Sequence, residues 1–175
     1  MVSESDLSLE DWRRNNVNEL VEKIDKTLHK IDSDLWFGIS PAGNISNNIN
    51  SLYADVYEWG GNAGYVDYLM PQIYWGFSHS TAPYKTITAN WRAVCTDPSV
   101  KLYAGFGVYR AVQQEGEYAG CTDELKRQLE YLITTETQYA GVCAFSYSYM
   151  DTSAYPSGAS EIINFIDALK QYDFN

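Results

Sequence analysis

Positive charge is what this sequence has least of: 12 Lys and Arg stand against 23 Asp and Glu, a formal net charge of −11 at pH 7. Basic side chains displace the counterions of a phosphate backbone, so a chain without a Lys/Arg cluster is not expected to bind nucleic acid. No apolar run approaches the roughly 20 residues that cross a bilayer, and the opening segment MVSESDLSLEDWRR lacks the apolar centre of a signal peptide. The expectation is a soluble chain with no membrane span and no address. Cysteine is scarce: Cys95, Cys121 and Cys143 show no Cys-x-x-Cys or Cys/His spacing and read as free thiols. His29 and His79 stand isolated, and no glycine-rich phosphate turn occurs. No cofactor and no metal are therefore expected. What is present is 45% apolar residues in a chain of 175, which suffices for one buried core, and an aromatic share of 15% that includes 15 Tyr.

Helical and buried-strand patterns alternate along the chain. Residues 8–31 repeat Val17, Leu20, Val21, Ile24, Leu28 and Ile31 on one helical stripe, with Ser8 and Asp11 placed as a capping box. Residues 35–41, Leu-Trp-Phe-Gly-Ile-Ser-Pro, form a first strand, and the polar 42–50 a loop. A short helix over 51–61 leads to a second strand at 66–75, where Pro71 predicts a bulge or a strand end. Pro83 suits the first turn of a helix carrying Ile87, Trp91 and Val94. A third strand follows at 101–109, a helix at 122–137, a fourth strand at 141–147 and a last helix bearing Ile162, Phe165, Ile166 and Leu169. Such alternation implies parallel strands joined by right-handed crossovers, an α/β fold. Polar and aromatic residues gather at the strand ends, as in a (β/α)8 barrel, but a full barrel takes about 250 residues. Four βα units make half of one.

Four segments carry a family resemblance: Asp11-Trp12-Arg13-Arg14-Asn15-Asn16-Val17-Asn18, Phe37-Gly38-Ile39-Ser40-Pro41, Val66-Asp67-Tyr68 with Pro71-Gln72-Ile73-Tyr74-Trp75, and Phe145-Ser146-Tyr147. In that order they resemble the glycosyl hydrolase-like 10 family, over about residues 11–150. The resemblance implies the C-terminal half of a TIM barrel, strands five to eight, with the N-terminal half absent from a single partial domain over 1–175. It also implies a bacterial, extracellular or cell-envelope glycosidase, with peptidoglycan strands as a substrate class. The family's acidic run of the His-Phe-Asp-Asp-Tyr type has no counterpart here, and Asn90-Trp91-Arg92 stands where the family tends to pair tryptophans.

Glycoside hydrolysis needs two carboxyl groups roughly 5–9.5 Å apart across the scissile bond. Asp67 is a weak catalytic candidate, because it lies at the start of its strand, away from a barrel's active rim; a structural, hydrogen-bonding role suits it better. Asp55 and Glu58 flank a helix, and Glu115, Glu117 and Asp151 are expected at the surface. Substrate contact is better served. Residues two apart on a strand share a face, so Gln72 and Tyr74 are expected at the barrel mouth, offering an amide and a phenol to sugar hydroxyls. Trp75 is a stacking platform, and Ser40, Asn44, Tyr109 and Tyr147 complete the candidate glycan contacts. Trp12, Trp36, Trp59 and Trp91 are expected in the core or packed between helices, and Arg13 or Arg14 to pair with an acid. The expected function is a glycosidase half lacking its principal acids and inactive alone. Two alternatives are a non-catalytic carbohydrate-binding module and a homodimer closing through exposed half-barrel edges, where Met70 and Phe106 would lie open.

Overall fold

The computed structural model describes residues 7–172, so the part of the opening segment before Leu7 lies outside them. Among the described residues seven α-helices and four strands follow, besides short 3-10 turns, in the order α1 (Leu9–Ile31), β1 (Gly38–Ile39), α2 (Ile45–Asn50), α3 (Val56–Gly61), β2 (Tyr68–Leu69), α4 (Tyr84–Val94), β3 (Lys101–Gly107), α5 (Val108–Val112), α6 (Glu124–Thr134), β4 (Tyr139–Phe145) and α7 (Ala159–Leu169). The strands form one sheet in the order β1-β2-β3-β4, every pair parallel. This is a mixed α/β fold compatible with part of a TIM barrel. No helix among the described residues is long and apolar enough to cross a membrane.

Local chemistry sets most boundaries. Ser8 accepts the Asp11 N–H at 3.1 Å and donates to its carboxylate, so α1 starts on a capping box with Asp in the acidic position. β1 and β2 are two residues each, far shorter than the expected 35–41 and 66–75, because Pro41 and Pro71 interrupt the ladder that isolated bridges resume at Gln72. Residues 42–50 are not all loop. Asn44 caps α2 by accepting the Asn47 N–H, and the buried Asn48 amide closes on the backbone N–H and C=O of Ala42. These asparagines are structural polar groups, which a hydrophobicity pattern reads as loop. The helix expected over 51–61 begins later, at Val56, where Asp55 is its cap. Pro83 stands just before its helix rather than in the first turn.

The core lies between the sheet and the helices on one side of it. Leu69, Ile73, Leu102, Ala104 and Phe106 are buried there with Tyr84 and Trp91 of α4, Leu125, Leu129 and Leu132 of α6, and Ile162 and Phe165 of α7. Phe106 is therefore not open as the half-barrel reading expected: it meets Phe165 at 5.5 Å and Tyr84 at 6.1 Å between ring centres. Odd positions of β3 face away from that core, so the uncovered face carries Tyr103 with Tyr68 against it at 5.5 Å. Trp59 and Trp91 are buried as expected, but Trp12 and Trp36 are 43% and 60% exposed. Trp36 lies 6.5 Å from the Tyr68 ring, between ring centres, with its outer face open. Arg14 pairs with Asp11, and Arg13 lies over the Tyr53 ring.

His29 is not isolated. Its Nδ1 lies 3.1 Å from the Asp25 carbonyl and 3.3 Å from the Asp25 carboxylate, and its Nε2 lies 3.4 Å from Asp67. Asp67 also accepts the Phe37 N–H at 2.7 Å, so one clasp joins α1, β1 and β2. Burial opposes protonation of His29, yet Asp25 and then Asp67, with the carbonyls of Asp25 and Leu35, hold its pKa above the ordinary 6.5. A His whose pKa is raised by folding stabilises the fold below its unfolded pKa, and that contribution is lost as pH rises through the folded value. Replacing His29 with Gln should thus lower the urea midpoint more at pH 6 than at pH 8.5. Equal losses at both pH values would show that the clasp does not depend on the charge.

Candidate active site

A cavity of about 450 Å³ opens at the C-terminal ends of β1, β2 and β3, lined by Ala42, Gly43, Asn44, Asn47, Gln72, Tyr74, Trp75, Tyr109 and Arg110. Three other hollows are comparable in size: an acid-lined groove of about 410 Å³ between α1 and α3, one of about 610 Å³ on the outer surface of α4 and α6, and one of about 480 Å³ beyond the end of β4, lined by Tyr147, Ser148, Met150 and Asp151. The first two lie away from the strand ends, where parallel α/β folds concentrate convergent side chains; the third is lined by one short segment of the chain alone, whereas the 450 Å³ cavity is shared by three strand ends.

Gln72 is placed by the sheet itself. Its N–H donates to the Pro41 carbonyl at 3.0 Å, it bridges Ala42 on one side and Gly105 on the other, and its side-chain amide reaches the Ser40 carbonyl at 3.3 Å. Ser40 does not line the cavity; only its carbonyl meets the Gln72 amide. Two residues on, Tyr74 stacks on Phe145 at 5.9 Å and meets Tyr109 edge-on at 5.8 Å. Close approach of Tyr74 is possible because position 107 is glycine: a Cβ there would fall 2.9 Å from the Tyr74 Cβ. Burial first, then the neighbouring Cys143 and Tyr109, push the Tyr74 phenol up to about 12, which keeps it neutral and able to donate. Trp75 forms the wall beside Gly43, where a Cβ would fall 2.3 Å from the Gln72 carbonyl oxygen and 2.6 Å from the indole. Gly43 is held in turn by the buried indole N–H of Trp91, which donates to its carbonyl at 2.8 Å.

The structure brings Asn44, Gln72, Tyr74, Trp75 and Tyr109 into this one cavity. Asn44 also caps α2, so its side-chain oxygen is already engaged. Tyr109 is not at the end of a strand: β3 stops at Gly107 and Tyr109 lies in α5, which turns its ring across the cavity mouth. Tyr147 is apart from the group, 89% exposed in a 3-10 turn beyond β4, which ends at Phe145. Asp67 is at the opposite end of its strand with His29.

Asn47 and Arg110 line the cavity without having been expected there. Arg110 donates to the Tyr74 carbonyl at 2.7 Å and to Glu117 at 3.3 Å, with Glu115 at 3.8 Å. Glu117 is consequently no surface acid; its side chain is 8% exposed and accepts the Gly76 N–H at 2.8 Å. Burial opposes its ionisation, but the Gly76 N–H and Arg110 outweigh that and hold the carboxyl below its ordinary range. Only the adjacency of Arg110 to Tyr109 in a strand-end cluster hinted at its place. None of the lining residues is an acid, and among the described residues the cavity therefore has no carboxylate pair across it.

Asp25, His29 and Asp67 present ligand atoms within 4.8 Å of one another. Asp67 Oδ2 is already engaged by the Phe37 N–H and each His29 nitrogen faces an oxygen, an arrangement of hydrogen-bonded ion pairs. The three cysteines are free, and burial pushes the Cys95 thiol up to about 12, which removes it as a nucleophile at neutral pH.

Parallel βα units with a polar and aromatic cavity at their C-terminal strand ends define the architecture of barrel enzymes that act through that rim. The chain belongs to the glycosyl hydrolase-like 10 family, whose model matches residues 1–119. It is 31% identical over 160 residues to the glycosyl hydrolase DigH of Escherichia coli (strain K12), covering 81% of this chain and 36% of that protein. To the glycosyl hydrolase YngK of Bacillus subtilis (strain 168) it is 34% identical over 118 residues, 59% of this chain and 23% of that protein. The chain thus spans about a third or less of the length of these relatives. No solved structure matches it significantly.

Proposed function

We propose that this chain forms the substrate-binding wall of a glycosidase acting on bacterial cell-wall or related glycans, with peptidoglycan strands as the favoured class. The 175 residues form one partial barrel, and the acids that break the glycosidic bond come from outside them, so the chain alone binds glycan without hydrolysing it. The observation that carries this reading is the composition of the strand-end cavity: amides at Asn47 and Gln72, a neutral phenol at Tyr74, an indole at Trp75, and no acid. Amides and phenols match the donor and acceptor pattern of sugar hydroxyls, and an aromatic face matches the C–H face of a pyranose. Membership of a glycosyl hydrolase-like family supports the glycosidic bond as the class acted on. The proposed setting is the cell envelope or the extracellular space.

Calorimetry with purified peptidoglycan glycan strands tests it, alongside an assay for new reducing ends. The chain should bind and release no sugar, and Trp75→Ala should weaken binding by about ten-fold or more, the loss of one well-placed aromatic contact. Hydrolysis by the 175-residue chain that disappears in Gln72→Ala would place the acids inside it and overturn the proposal. Absence of binding would overturn it equally.

A further inference from the structure

The segment after β2, Tyr74–Phe77, is held by side chains that arrive from far along the sequence. Arg110 donates to the Tyr74 carbonyl at 2.7 Å, Gln128 to the Trp75 carbonyl at 3.0 Å, Glu117 accepts the Gly76 N–H at 2.8 Å, and Glu124 accepts the Phe77 N–H at 2.6 Å. Four consecutive residues thus each give one main-chain group to a different side chain. Gln128 is fully buried and Glu124 nearly so. Burying such groups is costly unless they are paired, and apolar residues would fill the same space in a helix layer without that cost. The partners are themselves held: Arg127 donates to Glu124 at 3.0 Å, Gln128 also donates to Tyr118, and Glu161 of α7 accepts the N–H groups of Glu124 and Leu125 at the start of α6.

The main chain fixed in this way is the one that presents Tyr74 and Trp75 to the cavity. We infer that Glu117, Glu124 and Gln128 are positioning residues for glycan binding: they hold residues 74–77 in the binding geometry before any sugar arrives. A wall ordered in advance does not lose that conformational freedom on binding, so the ordering cost is removed from the affinity. None of the three lines the cavity, and their effect passes through the backbone of the residues that do. The inference rests on the glycan-binding reading of the cavity.

The test uses the 175-residue chain, amide hydrogen exchange, and tetra-N-acetylchitotetraose as the binding probe. Glu117→Ala should speed exchange at Gly76, and Glu124→Ala at Phe77, by about ten-fold or more, as expected when a local hydrogen bond is lost without global unfolding. The Ile73 amide, which donates to the Gly105 carbonyl, should keep its protection. Probe affinity should fall about five-fold or more as pre-organisation is lost. Glu117→Gln and Glu124→Gln, whose amide oxygens still accept, should restore both quantities. If affinity falls while exchange at Gly76 and Phe77 is unchanged, or if the Gln variants fail as the Ala variants do, the inference is overturned. Should Glu124→Ala unfold the chain, Glu117→Ala carries the test, since Glu117 lies on a short turn outside the main helices. If the unaltered chain does not bind the probe, the sugar-positioning role is overturned together with the glycan reading; exchange at Gly76 and Phe77 still reports whether the loop is clamped.

Discussion

Trp91→Ala should cost about 3–5 kcal/mol of stability, the range for truncating a buried large aromatic, seen as a lowered urea midpoint. The indole is fully buried in the helix layer and donates to the Gly43 carbonyl 48 residues earlier in the chain. Truncation removes the packing of α4 and leaves that carbonyl without its donor. Trp91→Phe separates the two effects, since it keeps most of the buried area and should cost about 1–3 kcal/mol, the scale of an unpaired buried polar group. Because Gly43 stands against Gln72 and Trp75, both variants should also weaken glycan binding. A Phe variant as unstable as the Ala variant would show that the lost hydrogen bond to Gly43, not the packing, dominates here.

Glu161→Ala should be the second most damaging single change. Glu161 is fully buried, and its two carboxylate oxygens accept the Glu124 N–H at 2.9 Å and the Leu125 N–H at 3.1 Å. Asp123, the residue before α6, makes no side-chain cap, so these first donors of the helix depend on α7. Each donor left unpaired costs about 1–3 kcal/mol, so the two together give a loss on the order of 2–6 kcal/mol by denaturant unfolding. A loss below about 1 kcal/mol would mean that water replaces the carboxylate at little cost. Burial first, and then Glu124 and Asp123, raise the Glu161 pKa above its ordinary range, although the two N–H groups oppose the rise. Folding therefore favours its protonated form, and its contribution weakens as pH rises through the folded pKa.

The sequence alone was sufficient for the order of the elements other than α2 and α5, because periodicities of two and 3.6 residues are local. Leu125, Leu129 and Leu132 mark α6, and Ile162 and Phe165 mark α7, without reference to anything distant. It was also sufficient to find the strand ends, since Gln72, Tyr74 and Trp75 break an apolar run with groups that a core would have to satisfy. Strand lengths were less legible. Pro41 and Pro71 remove donors, but how far the ladder resumes beyond them depends on the neighbouring strand. The polar α2 escaped notice because its asparagines satisfy backbone groups and do not face a core.

What the sequence by itself determined is a βα-repeating chain of one family, with a polar and aromatic rim and few cations. Only the tertiary structure decided that Arg110 and Glu117 belong beside that rim, that His29 meets Asp67, that Phe106 is covered and Trp36 is not, and that Tyr147 stands apart. The reason is physical: each of the pairings is made between groups 30 to 50 or so residues apart, where no local spacing records it. Helices and strand ends follow from near neighbours. The polar groups that hold the cavity are matched across the fold, and the energy of burying them is recovered only where the chain has already come together.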